Sequence, residues 1–461
     1  MRVDPRPSQS TDVPQFLNEE RTRFVSSVTD VHIGMNEKHD PYAALRSRDF
    51  SLFLVGSMLG TVGAEMQSVA VGWELYERTD SALALGWVGL VQALPVIVLA
   101  LPAGNVADRF ARRSIVIATQ ATMLLASLGL MMTSFRHGPV GWMYLCLFIT
   151  GVAGAFSFPA RWALLPELVP RSLFHNAVTW RSSGWQVAAV IGPALGGVGI
   201  GFWKDAAYVY LSDALFSVAV LACLVALRAR NRPVGGGVWS WESLLAGVRF
   251  VRESTLIKAT ISLDMFAVLL GGAVTLLPIY AKDILRVGPA GLGWLRAAPA
   301  VGALVMALIL THRPPFRHAG PTLLVVVAGF GIATIVFGVS RSFYLSLVML
   351  FLTGLFDNVS VVIRSTLLQA LTPDNLQGRV SAVNSVFIGM SNELGSFESG
   401  VTARLLGTVA SVVLGGFGSL AVVVGVSWKW PAVATLGTIE HVSHADEPTR
   451  VVVAWENEEP V

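Results

Sequence analysis

Apolar residues in this chain come in long runs separated by short polar stretches. Six runs lie at roughly 50–73, 83–107, 114–134, 142–165, 176–202 and 207–227, and six more at roughly 259–281, 290–311, 321–340, 344–368, 380–406 and 408–427. A helix rising about 1.5 Å per residue needs about 20 such residues to cross a hydrocarbon core of about 30 Å. The pattern predicts an all-α integral membrane protein with twelve transmembrane helices. The polar segments set the domain limits: a disordered tail over 1–41, a six-helix bundle over 42–227, a basic linker over 228–258, a second six-helix bundle over 259–427 and a tail over 428–461. The last is polar and acidic apart from a short VVVAW patch, and reads as a disordered end.

Composition agrees with burial in lipid. Charged residues make up 14% of the 461, where soluble domains carry about 25%, and the mean hydropathy is +0.62. A net charge of +3 would suit nucleic acid, but the basic residues stand in the loops, where membrane topology puts them. With the N-terminus inside, the cytoplasmic loops hold Arg109, Arg112, Arg113, Arg171, Arg228, Arg230, Arg232, Arg249, Arg252, Lys258, Arg313, Arg317 and Arg379. The opposite loops hold Arg78, Arg136, Lys204, Lys282, Arg286 and Arg341, so thirteen against six favours both termini in the cytoplasm. Residues 1–41 show no apolar core of a signal peptide, which suits a bacterial inner membrane. Cys146 and Cys223 sit inside apolar runs and read as small buried hydrophobes, not as a disulfide.

The two halves repeat each other. LFITG at 147–151 recurs as LFLTG at 350–354, an offset of 203. In the same register Arg161 matches Arg364, Pro170 matches Pro373, Ser182 matches Ser385, Gly192 matches Gly395 and Gly197 matches Gly400. Gly86-Trp87 parallels Gly293-Trp294 at a slightly different offset. Unrelated apolar helices share Leu and Val by chance, not Arg, Pro and Gly in register. The repeat therefore predicts two pseudo-symmetric six-helix bundles, a plan that holds a ligand between the halves near mid-membrane.

Charge is unevenly spread over the spans. Those near 114–134, 321–340 and 408–427 carry none, and the one near 207–227 has only Asp213. Such spans suit outer, lipid-facing positions, because an ionised group facing lipid costs about 2.5–3.5 kcal/mol on insertion scales. The charged spans suit a central wet cavity, whose candidate residues are Glu65, Gln67, Asp264, Arg296, Asp357, Arg364 and Glu393. Each reads either as part of a fixed ion pair, as between Arg364 and Asp357, or as a direct contact for substrate or proton. Asp264 and Glu393 are the first choices for proton coupling, since an intramembrane carboxyl group can load and release a proton as access alternates.

Two motifs bear on movement. GNVADRFARR at 104–113 puts Asp108 at one helix end and Arg109, Arg112 and Arg113 at the next, with Gly104 allowing close helix approach. An acid beside several guanidiniums there makes a breakable latch. GPALGG at 192–197, with Gly192, Pro193, Gly196 and Gly197, combines a lost helix hydrogen bond with tight packing, giving a bend or pivot.

The first motif resembles the signature loop of the major facilitator superfamily, Gly-x-x-x-Asp-Arg-x-Gly-Arg-Arg/Lys, with Ala111 in place of the second glycine. In that family the loop stabilises one state of an alternating-access cycle. The equivalent loop of the second half, at 311–320, keeps basic residues and lacks the acid. GPALGG resembles the superfamily's antiporter motif, with Ala188 where a glycine usually stands four residues upstream. PARWALLPELVP at 159–170 and RTDSALALGWVGLVQALP at 78–95 are similar to the branch of macrolide-efflux pumps and siderophore exporters. The resemblance covers roughly residues 42–430 and implies a secondary active transporter, not an enzyme.

The expectation is therefore proton-coupled efflux of an amphipathic small molecule, a drug or siderophore-like metabolite. Proton-coupled import of a small nutrient is the alternative; a transceptor signalling through 428–461, or a polytopic membrane enzyme, is more remote. Partners are the substrate, protons and the bilayer, with no nucleic acid, and the chain is expected to be monomeric. No phosphate-binding Gly-x-x-x-x-Gly-Lys-Ser/Thr loop, Cys/His metal spacing or Gly-x-Ser-x-Gly elbow occurs, so no cofactor or metal is expected.

Overall fold

A computed structural model describes residues 40–228, 248–314, 316–442 and 450–455. Residues 1–39 of the expected N-terminal tail and 229–247 of the expected linker lie outside the described residues. Residues 40–43 form a turn in which Ala43 N donates to Asp40 O at 3.2 Å, and they belong to a unit of their own. From Ala44 onward the chain is one compact unit.

Twelve long helices make up that unit: α1 (Arg48–Thr79), α2 (Ala82–Arg109), α3 (Arg112–Phe135), α4 (Val140–Leu168), α5 (Phe174–Trp203), α6 (Ala207–Ala226), α7 (Thr255–Leu270), α8 (Gly288–Thr311), α9 (Ala319–Val339), α10 (Phe343–Leu371), α11 (Asp374–Leu406) and α12 (Thr408–Lys429). Their ends follow local chemistry. The Ser47 hydroxyl caps α1 by accepting from Phe50 N at 3.4 Å, and Gly407 at φ 91° turns α11 into α12 within a single residue. Among the described residues eleven segments are long and apolar enough to cross a membrane. The long helix that fails this test is α11, which carries Arg379, Glu393, Glu398 and Arg404.

After Leu270, α7 loses its regular form and continues as a 3-10 turn (Ala273–Leu276), one helical turn (Leu277–Ile279) and a π turn (Tyr280–Ile284). The break lies at Gly271-Gly272, where a side chain on Gly272 would sit 2.4 Å from the Ser399 hydroxyl of α11. Close packing, not weak propensity, sets the irregularity.

The helices form two bundles, α1–α6 and α7–α12, joined by α2 against α11 and α5 against α8. The nearly uncharged α3, α6, α9 and α12 pack within their own bundles. Buried apolar side chains divide in an informative way. At the end of the molecule opposite the start of α1 and the end of α12 (the tail face), here the far face, one core runs through both bundles, from Leu75 and Tyr210 to Leu276, Leu295 and Leu350. At the tail face there are three separate cores among the described residues, the smallest joining the starts of α7 and α11 through Ile257, Ile261, Val380 and Val383. Of the larger two, one, with Phe50, Leu164 and Leu224, belongs to the first bundle; the other, with Leu263, Leu323 and Leu367, belongs to the second. The bundles thus meet at the far face and part at the tail face, leaving a cleft between them.

The C-terminal end departs from the expected disordered tail. Strand β1 (Leu436–Val442) pairs antiparallel with β2 (Arg450–Trp455), placing Ile439 opposite Val453 and His441 opposite Val451. The β-branched residues of the VVVAW patch explain the strand. Val433 and Leu436, just before and at its start, are buried with Ala319 and Leu323 of α9, which fastens the ribbon to the tail face of the second bundle.

Candidate functional site

The far face is closed by the repeat itself. A Cβ on Gly197 of α5 would lie 2.6 Å from Gly293 Cα of α8, and one on Gly400 of α11 would lie 2.7 Å from Gly86 Cα of α2. These are two copies of one contact, since Gly197 and Gly400, like Gly86 and Gly293, are equivalents in the repeat. Only residues without a side chain let the backbones meet this closely. Trp87 stacks edge-on against Phe397 across the same α2–α11 seam, with ring centroids 5.3 Å apart. Beyond the glycines sits a polar clasp. Tyr76, near the end of α1, donates a short hydrogen bond to Asp283 in the π turn. Lys282 Nζ pairs with Asp80 Oδ1 at 2.8 Å and lies 5.0 Å from the Tyr76 ring centroid.

Deeper along the seam, Arg296 of α8 donates to the Ser68 hydroxyl of α1 at 2.6 Å. Glu393 of α11 is within electrostatic reach of Arg296 and rests against α2, where a Cβ on Gly89 would sit 3.2 Å from Glu393 Oε2. Glu65 lies one turn from Ser68, and its Cβ would be 2.6 Å from a Cβ on Gly192. Arg296 and Glu393 thus gather at the interface between the bundles. Gln67 goes elsewhere. Its carbonyl accepts from Ser127 of α3 at 3.1 Å, and the same hydroxyl reaches Asp213 of α6 at 2.5 Å. That network lies inside the first bundle, behind α1, so Gln67 is a packing group and not a cleft residue.

Asp264, Asp357 and Arg364 gather within the second bundle. Arg364 of α10 forms a short ion pair with Asp264 of α7, and both side chains are about nine-tenths buried, at 10% and 9% exposure. The pairing of Arg364 with Asp357 raised from the sequence is corrected here: Asp357 lies on the same helix two turns away, while Asp264 faces Arg364 across the α7–α10 contact. Asp357 instead lines, with Asp264, Val327, Phe330 and Ser360, a cavity of about 20 Å³. That is room for one water. Two carboxyl groups and one guanidinium carry a net −1 when all are ionised and zero when one carboxyl holds a proton.

The first bundle has the matching arginine with different company. Arg161 Nε donates to Ser157 at 3.0 Å, just as Arg364 Nε donates to Ser360 at 3.2 Å, and both pairs obey the offset of 203. Arg161 Nη2 then donates to the amide oxygen of Gln120 at 2.6 Å, where Arg364 has a carboxylate. The sequence marks Arg161 as the repeat partner of Arg364 and does not show this bond to Gln120.

At the tail face, the loop between α2 and α3 ties helices of its own bundle. Arg112 donates to Glu167 at 2.7 Å and to Ala163 O at 2.8 Å, holding the end of α4. Arg113 donates to Leu224 O at 3.0 Å and Val225 O at 2.7 Å, capping the last turn of α6. Cations at a helix C-terminus satisfy carbonyls with no partner in the helix. Gly104 is buried, Arg109 is exposed, and the Asp108 side chain lies outside the described residues. In the GPALGG segment, Gly192 and Gly196 seat α5 on Val62 and Met66 of α1, while Pro193 and Gly197 face Gly293 of α8. One motif therefore serves two helix contacts, one within the first bundle and one across the seam to the second. The clasp of Tyr76, Asp80, Lys282 and Asp283 was missed from sequence; its signal was opposite charges at helix ends on the same side, of which only Lys282 entered the orientation count.

A helical chain of this plan invites comparison with known proteins. The family model described as "Transmembrane secretion effector" matches residues 39–455, nearly the whole chain. The chain belongs to this family. Transmembrane secretion effectors are major facilitator superfamily proteins, so the chain is a multi-pass membrane protein and a secondary transporter of a small molecule, not an enzyme. Among relatives, the enterobactin exporter EntS of Citrobacter koseri is 26% identical over 377 residues, covering 81% of this chain and 89% of that one. Among solved structures, a mutant of the nucleoside transporter NupG superposes with TM-score 0.67 at 10% identity, covering 83% of this chain and all of that one. A bacterial homologue of the iron transporter ferroportin, in an inward-facing state, superposes with TM-score 0.64 at 17% identity, over 84% of this chain and 99% of that one. Both structures bear on the fold alone.

Proposed function

We propose that this secondary transporter exports an amphipathic small molecule, a drug or siderophore-like metabolite, in exchange for protons. The observation that carries the coupling is Asp357 beside the Asp264–Arg364 ion pair, with both carboxyl groups lining a cavity the size of a water. One proton decides whether that cluster is charged or neutral, and removing a buried charge changes how helices around it pack. Glu393, with Arg296 at the bundle interface, is the second carboxyl group whose charge bears on cleft closure. With both termini in the cytoplasm of a bacterial cell, the cleft opens inward and the far face is the outer gate. The relatives named as enterobactin exporters support the outward direction. Each monomer is a complete pathway.

The test is accumulation of labelled amphipathic compounds in cells expressing the protein, with and without a protonophore. Expression should lower accumulation, and the protonophore should restore it. Asp264→Asn and Glu393→Gln, at matched expression, should each abolish the protonophore-sensitive part. Normal proton-dependent export by either variant removes that residue from the mechanism, and a rise in accumulation on expression replaces export with import.

A further inference from the structure

The two walls of the cleft differ in charge. On the second bundle, Arg364 has a carboxylate partner in Asp264. On the first, Arg161 has only the Ser157 hydroxyl and the Gln120 amide, which occupy its Nε and Nη2. Its Nη1 donors have no partner among the described residues, and the charge acting on it from nearby is the like charge of Arg181 on α5. Arg181 in turn lies over the Trp162 ring at 3.3 Å from the centroid and pairs with no carboxylate among the described residues. Two neighbouring guanidiniums within membrane-spanning helices repel each other and are costly to desolvate. An anion between them would offset both terms.

The surroundings face the cleft. Phe158 and Trp162 of α4 are exposed, and so are their repeat equivalents on α10, Val361 and Ser365. Both pairs lie in the halves of α4 and α10 nearer the tail face, where the bundles part. Trp185, one turn along α5 from Arg181, is 58% exposed. Guanidiniums take carboxylates through paired N–H donors, and an indole face takes an aromatic ring. We propose that Arg161 and Arg181, with Trp162 and Trp185, form a subsite for an aromatic anion, an aryl carboxylate or phenolate, on the first-bundle wall of the cleft. Cargo charge is then held on one wall and the proton on the other. This deepens the export reading and rests on it for the direction in which the anion moves.

The experiment is equilibrium dialysis of the purified full chain with radiolabelled 1-naphthoate and, separately, its neutral analogue 1-naphthamide. The naphthoate should bind about tenfold more tightly or better, the factor of a charge-assisted hydrogen bond of about 1.5 kcal/mol. Arg181→Gln and Arg161→Gln should remove that preference and leave naphthamide binding unchanged, while Arg181→Lys should keep part of it. Arg181 is the half-exposed member, so its variants are informative even if Arg161→Gln fails to fold. Equal binding of the two compounds, no saturable naphthoate binding, or a preference that survives Arg181→Gln overturns the subsite. Efflux of a neutral amphipathic dye tests export separately: dye export without naphthoate binding defeats the subsite alone, and naphthoate binding without any dye or naphthoate efflux defeats export alone.

Discussion

Adding one methyl group at the far-face seam should push the transporter out of the state described here. In Gly197→Ala the new Cβ would stand 2.5 Å from Pro289 O, 2.6 Å from Gly293 Cα and 2.7 Å from Gly293 N. All three are backbone atoms of α8, so no side chain can swing away. Overpacking of this kind typically costs about 1–3 kcal/mol. The clash exists only while α5 and α8 touch, so parting the bundles at the far face relieves it entirely. The equilibrium should then shift towards the far-open state by about 5-fold to 150-fold. Gly400→Ala makes the equivalent clash with Gly86, and Gly425→Ala, whose Cβ would meet nothing within 4 Å, is the control. Spin labels on cysteines replacing Lys204 and Arg286, exposed at the ends of α5 and before α8, report the gap by pulsed electron resonance. Cys146 and Cys223 are first replaced by Ala. The long-distance population should grow in Gly197→Ala and Gly400→Ala and stay unchanged in Gly425→Ala. If both seam variants keep the parent distance distribution, the glycines are not what sets closure and the reasoning fails.

Three further outcomes follow from other contacts. Arg364→Gln strands Asp264 in the bundle beside Asp357, at a cost of about 3–5 kcal/mol; the melting temperature in detergent should drop, and adding Asp264→Asn should recover most of it. Equal stability of the single and double variants would show that the pair is not what holds α7 to α10. Arg113→Ala uncovers the carbonyls of Leu224 and Val225 and should cost about 1.5–3 kcal/mol, read as faster amide exchange confined to the last turn of α6. Tyr76→Phe and Lys282→Ala, which remove clasp contacts worth about 1 kcal/mol each, should shift the same spin-label distances in the same direction as Gly197→Ala, by about fivefold at most.

The spans were legible because a lipid solvent demands long apolar runs, and the repeat was legible because glycine, proline and arginine recurred in register. That register now has a physical meaning, since the matched glycines are the two seams and the matched arginines hold the same serine bond. What escaped was decided by phase and by partner. Gln67 and Ser68 are neighbours in sequence, yet a helix turns about 100° per residue, so one faces the core of the first bundle and the other meets Arg296. Arg364 had a visible candidate two turns away in Asp357, whereas Asp264 lies 100 positions off in sequence and is brought near only by the packing of α7 on α10. The terminal ribbon was hidden because two short apolar patches in a polar tail give no sign of pairing until they are fixed against α9 and α10.

The weak hydropathy of α11 has a consequence for how the chain is made. A segment carrying Glu393, Glu398 and Arg404 has little drive to leave the translocon for lipid by itself. Its polar groups become tolerable once α2, α7 and α12 surround it, and α2 is supplied by the half synthesised first. Membrane integration of α11 must therefore wait for α12, which follows after a single glycine and is strongly apolar, and for a preassembled N-terminal bundle. Biogenesis is thereby ordered: in released chains that end at residue 406, a cysteine replacing the buried Ser391 of α11 should react with a water-soluble maleimide, and in chains extended beyond residue 429 it should be protected.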